Sequence, residues 1–146
     1  MAIELDSLLT YAVGRGASDI HLMPGSRPIL RIHGQVSPQM QFAVMGPEDM
    51  EETARQILPE RLYSQLQEGS EVDCSYTLPG KNRFRVNMFL ATGAIRAVLR
   101  AIPAKVPPFQ DLGLPPVLAK LAMESRGMVL VTGITGSGKS TTLASL

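Results

Sequence analysis

Residues 82–103 read NRFRVNMFLATGAIRAVLRAIP, two apolar runs of period two that meet at Thr92-Gly93. Alternating apolar residues on both sides of a glycine turn predict an antiparallel hairpin. With the turn centred between Thr92 and Gly93, one face of the hairpin is wholly apolar, which supports this register. The facing pairs on it are Phe84 with Ala101, Val86 with Leu99, Met88 with Ala97, and Leu90 with Ile95. The hairpin therefore predicts an antiparallel sheet with one face in a core.

The other face of the same hairpin is basic. The register sets Arg85 directly opposite Arg100, and Arg83 and Arg96 share their face. Like charges directly opposed destabilise a hairpin, so we expect something to compensate them. An anion such as phosphate matches guanidinium geometry. The alternative is a solvated basic face that costs the hairpin a few tenths of a kcal/mol.

Outward from the hairpin, the pattern of apolar residues and turns over residues 1–102 predicts an α+β domain. Apolar residues at helical spacing predict a first helix over 3–15, and Gly46-Pro47-Glu48-Asp49 is typical of a helix start. Turn residues separate the remaining runs. The other predicted elements are strands 19–23 and 29–33, a helix to residue 58, a short helix to residue 67, and strands 72–78, 83–91 and 94–102.

A second unit follows a proline-rich stretch. Residues 103–116 hold five of the eleven prolines, which is the composition of a linker. Beyond it, the pattern predicts a helix over 116–124, a buried strand over 128–132 and a helix that begins at Lys139. The predicted organisation is thus a domain over 1–102, a linker over 103–116 and the start of an α/β domain over 117–146.

The segment 133–140, GITGSGKS, fits the phosphate-loop pattern G-x-x-x-x-G-K-[ST] at every fixed position. Its glycines allow successive N–H groups to turn toward phosphate oxygens at a helix N-terminus. Lys139 would reach the β- and γ-phosphates, and the Ser140 hydroxyl would ligate Mg²⁺. The predicted ATP-binding residues are Gly133, Thr135, Gly136, Ser137, Gly138, Lys139, Ser140 and Thr141.

Composition excludes several other classes of protein. The 14 Lys and Arg against 13 Asp and Glu argue against a general nucleic-acid surface. The single cysteine, Cys74, forbids an internal disulfide and is typical of a small core residue in a reducing compartment. His21 and His33 lack the neighbours of a metal site. The N-terminus lacks the features of a secretory signal, and no apolar window approaches membrane length, which predicts a cytoplasmic protein without direct membrane insertion.

Four segments together resemble the type IV pilus retraction ATPase (PilT) family, within the type II/IV secretion ATPase superfamily. They are GASDIHL (16–22), NRFRVN (82–87), VLRAIP (98–103) and RGMVLVTGITGSGKSTTLASL (126–146). The resemblance implies a PAS-like N-terminal domain, a flexible linker and a RecA-like ATPase domain, of which 117–146 would be the first strand, phosphate loop and helix. It also implies a homo-hexamer, an inner-membrane pilus platform protein as partner, and peripheral localisation at the inner membrane.

The same resemblance assigns roles to residues of this sequence. Arginines of the family's N-terminal domain reach nucleotide phosphates, and by motif these are Arg85 and Arg100; Arg83 and Arg96 receive no firm assignment. With Lys139 they form the expected catalytic set of an ATP hydrolase that powers twitching motility. The family's catalytic glutamate lies beyond the phosphate loop, so we expect this chain to be part of a longer protein and inactive alone.

Two other functions remain open at this stage. One is a non-catalytic PAS-like assembly module with an inert phosphate loop. The other is a type II secretion or pilus-assembly ATPase, a group whose members usually carry an additional N-terminal domain. Because the matching region begins within the first twenty residues, the sequence favours the retraction group.

Overall fold

The computed structural model describes residues 4–78, 82–102, 107–134 and 137–146. The chain divides into two compact units, Met1–Ala104 and Lys105–Leu146. The first unit is a mixed α/β fold built on one antiparallel sheet. Its elements in chain order are α1 (Leu5–Gly14), β1 (Ala17–Leu22), β2 (Ile29–Ile32), β3 (Gln35–Pro38), α2 (Pro47–Ile57), α3 (Glu60–Gln67), β4 (Val72–Thr77), β5 (Arg83–Ala91) and β6 (Ala94–Ile102).

The six strands lie in the order β3-β2-β1-β6-β5-β4, and every neighbouring pair is antiparallel. The predicted hairpin register is confirmed, with Val86 paired to Leu99 and Arg85 paired to Arg100. β6 therefore lies at the centre of the sheet, between β5 and β1. The predicted turn at Pro79-Gly80 lies outside the described residues.

A single apolar core lies between one face of the sheet and the three helices. Phe84, Val86 and Leu99 on the sheet and Leu8 and Leu9 on α1 are fully buried in it. α2 begins as predicted, with Pro47 in its first turn and the Gly46 N–H donating to the Asp49 carboxylate over 2.6 Å. Cys74 is half-buried against the core, as expected, and burial raises the pKa of its thiol.

The described part of the second unit contains three short helices and no strand. They are a 3₁₀-helix (Phe109–Leu112), α4 (Val117–Ala122) and α5 (Lys139–Ser145). The prediction of a buried strand over 128–132 is wrong for this structure. Residues 128–132 adopt no strand, and Met128 and Leu130 are 84% and 78% exposed. A buried strand needs neighbours on both edges, and the described residues of this unit contain no strand to pair with it.

Candidate functional site

The face of the sheet turned away from the helices carries a row of charged residues from four adjacent strands. Arg31 on β2 pairs with Asp19 on β1, Asp19 with Arg100 on β6, and Arg100 with Arg85 on β5. A β-bulge between Ala17 and Asp19 interrupts the alternation of β1. Because a bulge re-aims the side chains that follow it, Asp19 joins this charged face while Ala17 remains in the core.

Asp19 is the centre of this row. Its side chain is only 9% exposed, and it accepts a 2.9 Å hydrogen bond from Nε of Arg100 and lies 3.4 Å from Nε of Arg31. Ser18 adds a hydroxyl donor at 2.9 Å. Burial raises the pKa of Asp19, but the hydrogen bonds from Arg100 and Ser18 and the charges of both arginines outweigh it. The pKa of Asp19 therefore lies below its ordinary value of 3.8, and the carboxylate is charged at neutral pH.

Arg85 has its own carboxylate on the other side. Its Nε lies 3.3 Å from Oδ1 of Asp73 on β4, and both side chains are largely exposed, at 70% and 52%. Between Arg85, Arg100 and β4 lies an open groove of about 370 Å³, also lined by Glu71, Asn87 and Val98. Asn87 donates to Glu71 across this groove over 2.7 Å.

The structure thus brings the two predicted arginines together and supplies the compensation that their opposition requires. The carboxylates of Asp19 and Asp73 provide it from the two flanking strands, and neither was predicted as part of the site. In both arginines Nε holds the carboxylate, and the outer nitrogen atoms make no hydrogen bond within the described residues. The outer nitrogens can therefore bind an anion in the groove.

The other two arginines of this face are placed differently. Arg83 donates to the Ser75 hydroxyl over 2.9 Å. Nε of Arg96 and Nε2 of His21 are buried without a hydrogen-bond partner among the described residues. Neither residue takes part in the charged row.

In the second unit, the glycine-rich segment 133–140 leads into α5. Gly133 has a φ of 149°, and a Cβ added there would come within 2.6 Å of the Ser137 hydroxyl oxygen. Gly138 has a φ of 87° immediately before the helix. Both positions need glycine, because other residues rarely adopt these angles. Thr135 and Gly136 lie outside the described residues.

Lys139 begins α5, and its side chain turns back into the loop. Nζ donates to the carbonyl oxygens of Gly133 and Ile134, over 2.9 and 2.7 Å. Ser140 and Thr141 follow it in the first turn of the helix. Across the described residues no group of three or more His, Cys, Asp or Glu side chains could hold a metal ion. The Ser140 hydroxyl could contribute only one ligand to a Mg²⁺ ion that phosphate oxygens and water also hold.

Comparison with known proteins shows the family. The chain belongs to the Type II/IV secretion system protein family, whose profile matches residues 1–146. It is 37% identical over 144 residues to the type IV pilus retraction ATPase PilT of Pseudomonas aeruginosa, covering 99% of this chain and 42% of that protein. The type IV pilus ATPase PilU of the same organism is 34% identical, with 99% and 37% covered. The resemblance read from the sequence is thereby confirmed.

A solved structure agrees with these relatives. The crystal structure of the pilus retraction motor PilT with bound ADP superposes with a TM-score of 0.89 at 40% identity, covering 98% of this chain and 42% of that one. The chain thus spans less than half the length of the relatives it matches. Of the helices in the described part of the chain, none has the length and apolar character needed to cross a membrane.

Proposed function

We propose that the complete protein binds and hydrolyses MgATP as a hexameric motor that retracts type IV pili. The observation that carries this proposal is the match of the whole chain to PilT, in sequence and in structure. We also propose that the complete protein is cytoplasmic and reaches the inner membrane through a pilus platform protein. Residues 1–102 form its PAS-like domain, 103–116 its linker and 117–146 the beginning of its RecA-like domain.

The glycine-rich loop is the proposed nucleotide site. Lys139 extends its ammonium group into the loop, and Gly133 leaves no room for a side chain, which together fit a segment that wraps closely around phosphate. Residues 133 and 135–141 hold the nucleotide, with Ser140 as a Mg²⁺ ligand. Mg²⁺, when bound, neutralises charge on the phosphates. Lys139 adds a fixed positive charge to the same oxygens.

Arg85 and Arg100 are the proposed charge-stabilising residues of hydrolysis. Each is anchored at Nε by a carboxylate, and its outer nitrogens make no hydrogen bond to any described residue, which suits a bidentate contact with phosphate. Charge that develops on the terminal phosphate favours preorganised donors of this kind. Arg83 and Arg96 have no role in this proposal.

One observation favours a second candidate. Because Asp19 and Asp73 already neutralise the opposed arginines, the charged row could serve only the stability of the sheet. The chain would then be part of a non-catalytic assembly module. The two candidates differ in whether the full-length protein turns over ATP and in whether that turnover depends on the arginines.

The test uses the full-length protein. Arg100→Ala and Arg85→Ala should each lower ATP turnover by ~10²-fold, the scale of losing one charge-stabilising donor. Nucleotide affinity should fall much less, because the loop and Lys139 remain. Lys139→Ala should abolish both. Arg61→Ala, an exposed arginine on α3, is the matched control and should leave turnover unchanged. Turnover near wild type in both Arg100→Ala and Arg85→Ala would show that these arginines are structural, and an absence of ATP turnover in the full-length wild type would support the module instead.

A further inference from the structure

The buried carboxylate of Asp19 divides its two oxygens between different partners. Oδ1 accepts the hydrogen bond from Nε of Arg100, while Oδ2 accepts from Ser18 and faces Nε of Arg31. Among the described residues, Oδ1 is thus bound by Arg100 alone. Arg100 itself is 72% exposed, so one edge of its guanidinium group is held at the sheet and the rest projects into solvent.

The geometry points to Asp19 as a positioning residue for Arg100. Resting on the function proposed above, we infer that Asp19 fixes the guanidinium group of Arg100 through Nε and so presents its outer nitrogens to a nucleotide phosphate. The β-bulge before Asp19 is part of this arrangement, because it brings the carboxylate onto the charged face. Asp19 acts through Arg100 and does not touch the nucleotide.

The Arg85–Asp73 pair can be compared with the Arg100–Asp19 pair to show the effect of burying the carboxylate. That pair joins the same atoms, Nε and a carboxylate oxygen, but over 3.3 Å and with an aspartate that is 52% exposed. Asp19 is nearly buried, bonds over 2.9 Å, and is itself fixed by Ser18 and Arg31. A buried, fixed acceptor limits the rotamers of its arginine more than an exposed one does. Arg100 is therefore preorganised and Arg85 remains adjustable.

ATP turnover by the full-length protein tests whether the positioning of Arg100 by Asp19 matters for hydrolysis. Asp19→Asn keeps the shape of the side chain and removes its charge; it should lower kcat by ~10-fold, since a misplaced donor loses most of its effect, with KM for ATP little changed. In an Arg100→Gln background, Asp19→Asn should cause no further loss, because the two residues act as a unit. Arg61→Gln is the control: it removes an exposed arginine on α3, outside the charged row, and should leave kcat within about twofold.

Arginine side-chain signals in the NMR spectrum of the 146-residue chain test the positioning directly. In the wild type, the Nε–H of Arg100 should exchange with water more slowly than that of Arg85. Asp19→Asn should abolish this difference, and Arg61→Gln, which removes an exposed arginine on α3, should preserve it. This measurement does not depend on ATP hydrolysis. The comparison of Arg100 with Arg85 is made in the wild-type chain, so it does not depend on whether a variant folds.

The outcomes separate this inference from the proposed function. If Arg100→Gln lowers turnover and Asp19→Asn does not, the function stands and the positioning role is wrong. Equal exchange of the two Nε–H groups in the wild type also overturns the positioning role, whatever the turnover. If the full-length protein shows no ATP turnover, the proposed function fails, and the exchange rates alone then decide whether Asp19 positions Arg100. Losses from Asp19→Asn and Arg100→Gln that simply multiply would indicate a structural role.

Discussion

Of the two loop glycines that the structure describes, Gly133 leaves less room for a side chain than Gly138 does. Its φ of 149° lies in the region that disfavours side chains, and an added Cβ would approach the Ser137 hydroxyl oxygen to 2.6 Å. Forcing another residue into such a conformation costs about 1–3 kcal/mol. Its carbonyl oxygen also accepts a hydrogen bond from Lys139, so a shift of Gly133 moves the lysine as well.

Gly133→Ala in the full-length protein should therefore weaken nucleotide binding by ~10-fold or more, the equivalent of about 1.4 kcal/mol. Calorimetric titration with the Mg²⁺ complex of a non-hydrolysable ATP analogue measures this. Gly113→Ala is the matched control, because Gly113 also has a positive φ, 61°, but an added Cβ there meets nothing within 4 Å. Equal affinity of the two variants would show that the loop does not hold the nucleotide.

Asp19 shows which site residues a sequence pattern can predict. Arg85 and Arg100 belong to one hairpin, so the turn and the period of two are enough to set them opposite each other. Asp19 lies 81 residues from Arg100 in the chain, and only the pairing of β1 with β6 brings them together. The bulge at Ser18 further changes the face on which Asp19 lies. Counted from Ala17, alternation would place Asp19 on the core side, whereas counted from the buried Ile20 and Leu22 it places Asp19 on the charged face.

At the scale of the element, the hairpin of β5 and β6 has an apolar face that packs in the core and an opposite face that carries the charged residues. Phe84 and Phe89 lie on the same strand, five residues apart, and so on opposite faces of the sheet. Phe84 is fully buried in the core, whereas Phe89 is only partly buried and pairs with Arg96. A large buried side chain contributes through contacts that the surrounding core cannot replace when it is removed.

Phe84→Ala should lower the free energy of unfolding by about 3–5 kcal/mol. Phe89→Ala, which removes the same side chain from the open face, should cost less than half as much. Urea denaturation of the 146-residue chain, followed by circular dichroism, gives both values. Equal losses would mean that the open face is packed as closely as the core, and the charged row would then not be accessible to a ligand.

Two elements outside the hairpin show where prediction from sequence fails. β3 was not predicted, because Gln35–Pro38 is exposed along its whole length and carries no apolar alternation. Its pairing follows from the tight turn at His33-Gly34, where both residues have positive φ. Residues 128–132 have the apolar run of a buried strand but no partner strand in the described part of their unit. A strand is defined by its neighbours, so its sequence alone is not sufficient.

At the scale of the whole molecule, burial is concentrated in the first unit. Among the residues that the structure describes, the 23 buried hydrophobic residues of the core lie between Leu5 and Leu99 and form one cluster. Of the described residues from position 107 onward, none is buried. Apolar burial is the main favourable term in folding, so the free energy of folding comes almost entirely from the first unit.

The first unit should therefore fold by itself. A chain of residues 1–104 should unfold cooperatively, with a midpoint within about 4 °C of that of the 146-residue chain, the shift that ~1 kcal/mol causes in a domain of this size. Limited proteolysis of the longer chain should make its first cuts within 103–116, because the residues before them are protected by strand pairing and the core. If the first cuts fall within 71–102, the predicted boundary of the first unit is wrong. A molten, uncooperative 1–104 would show that the core depends on residues outside this unit, contrary to the distribution of burial.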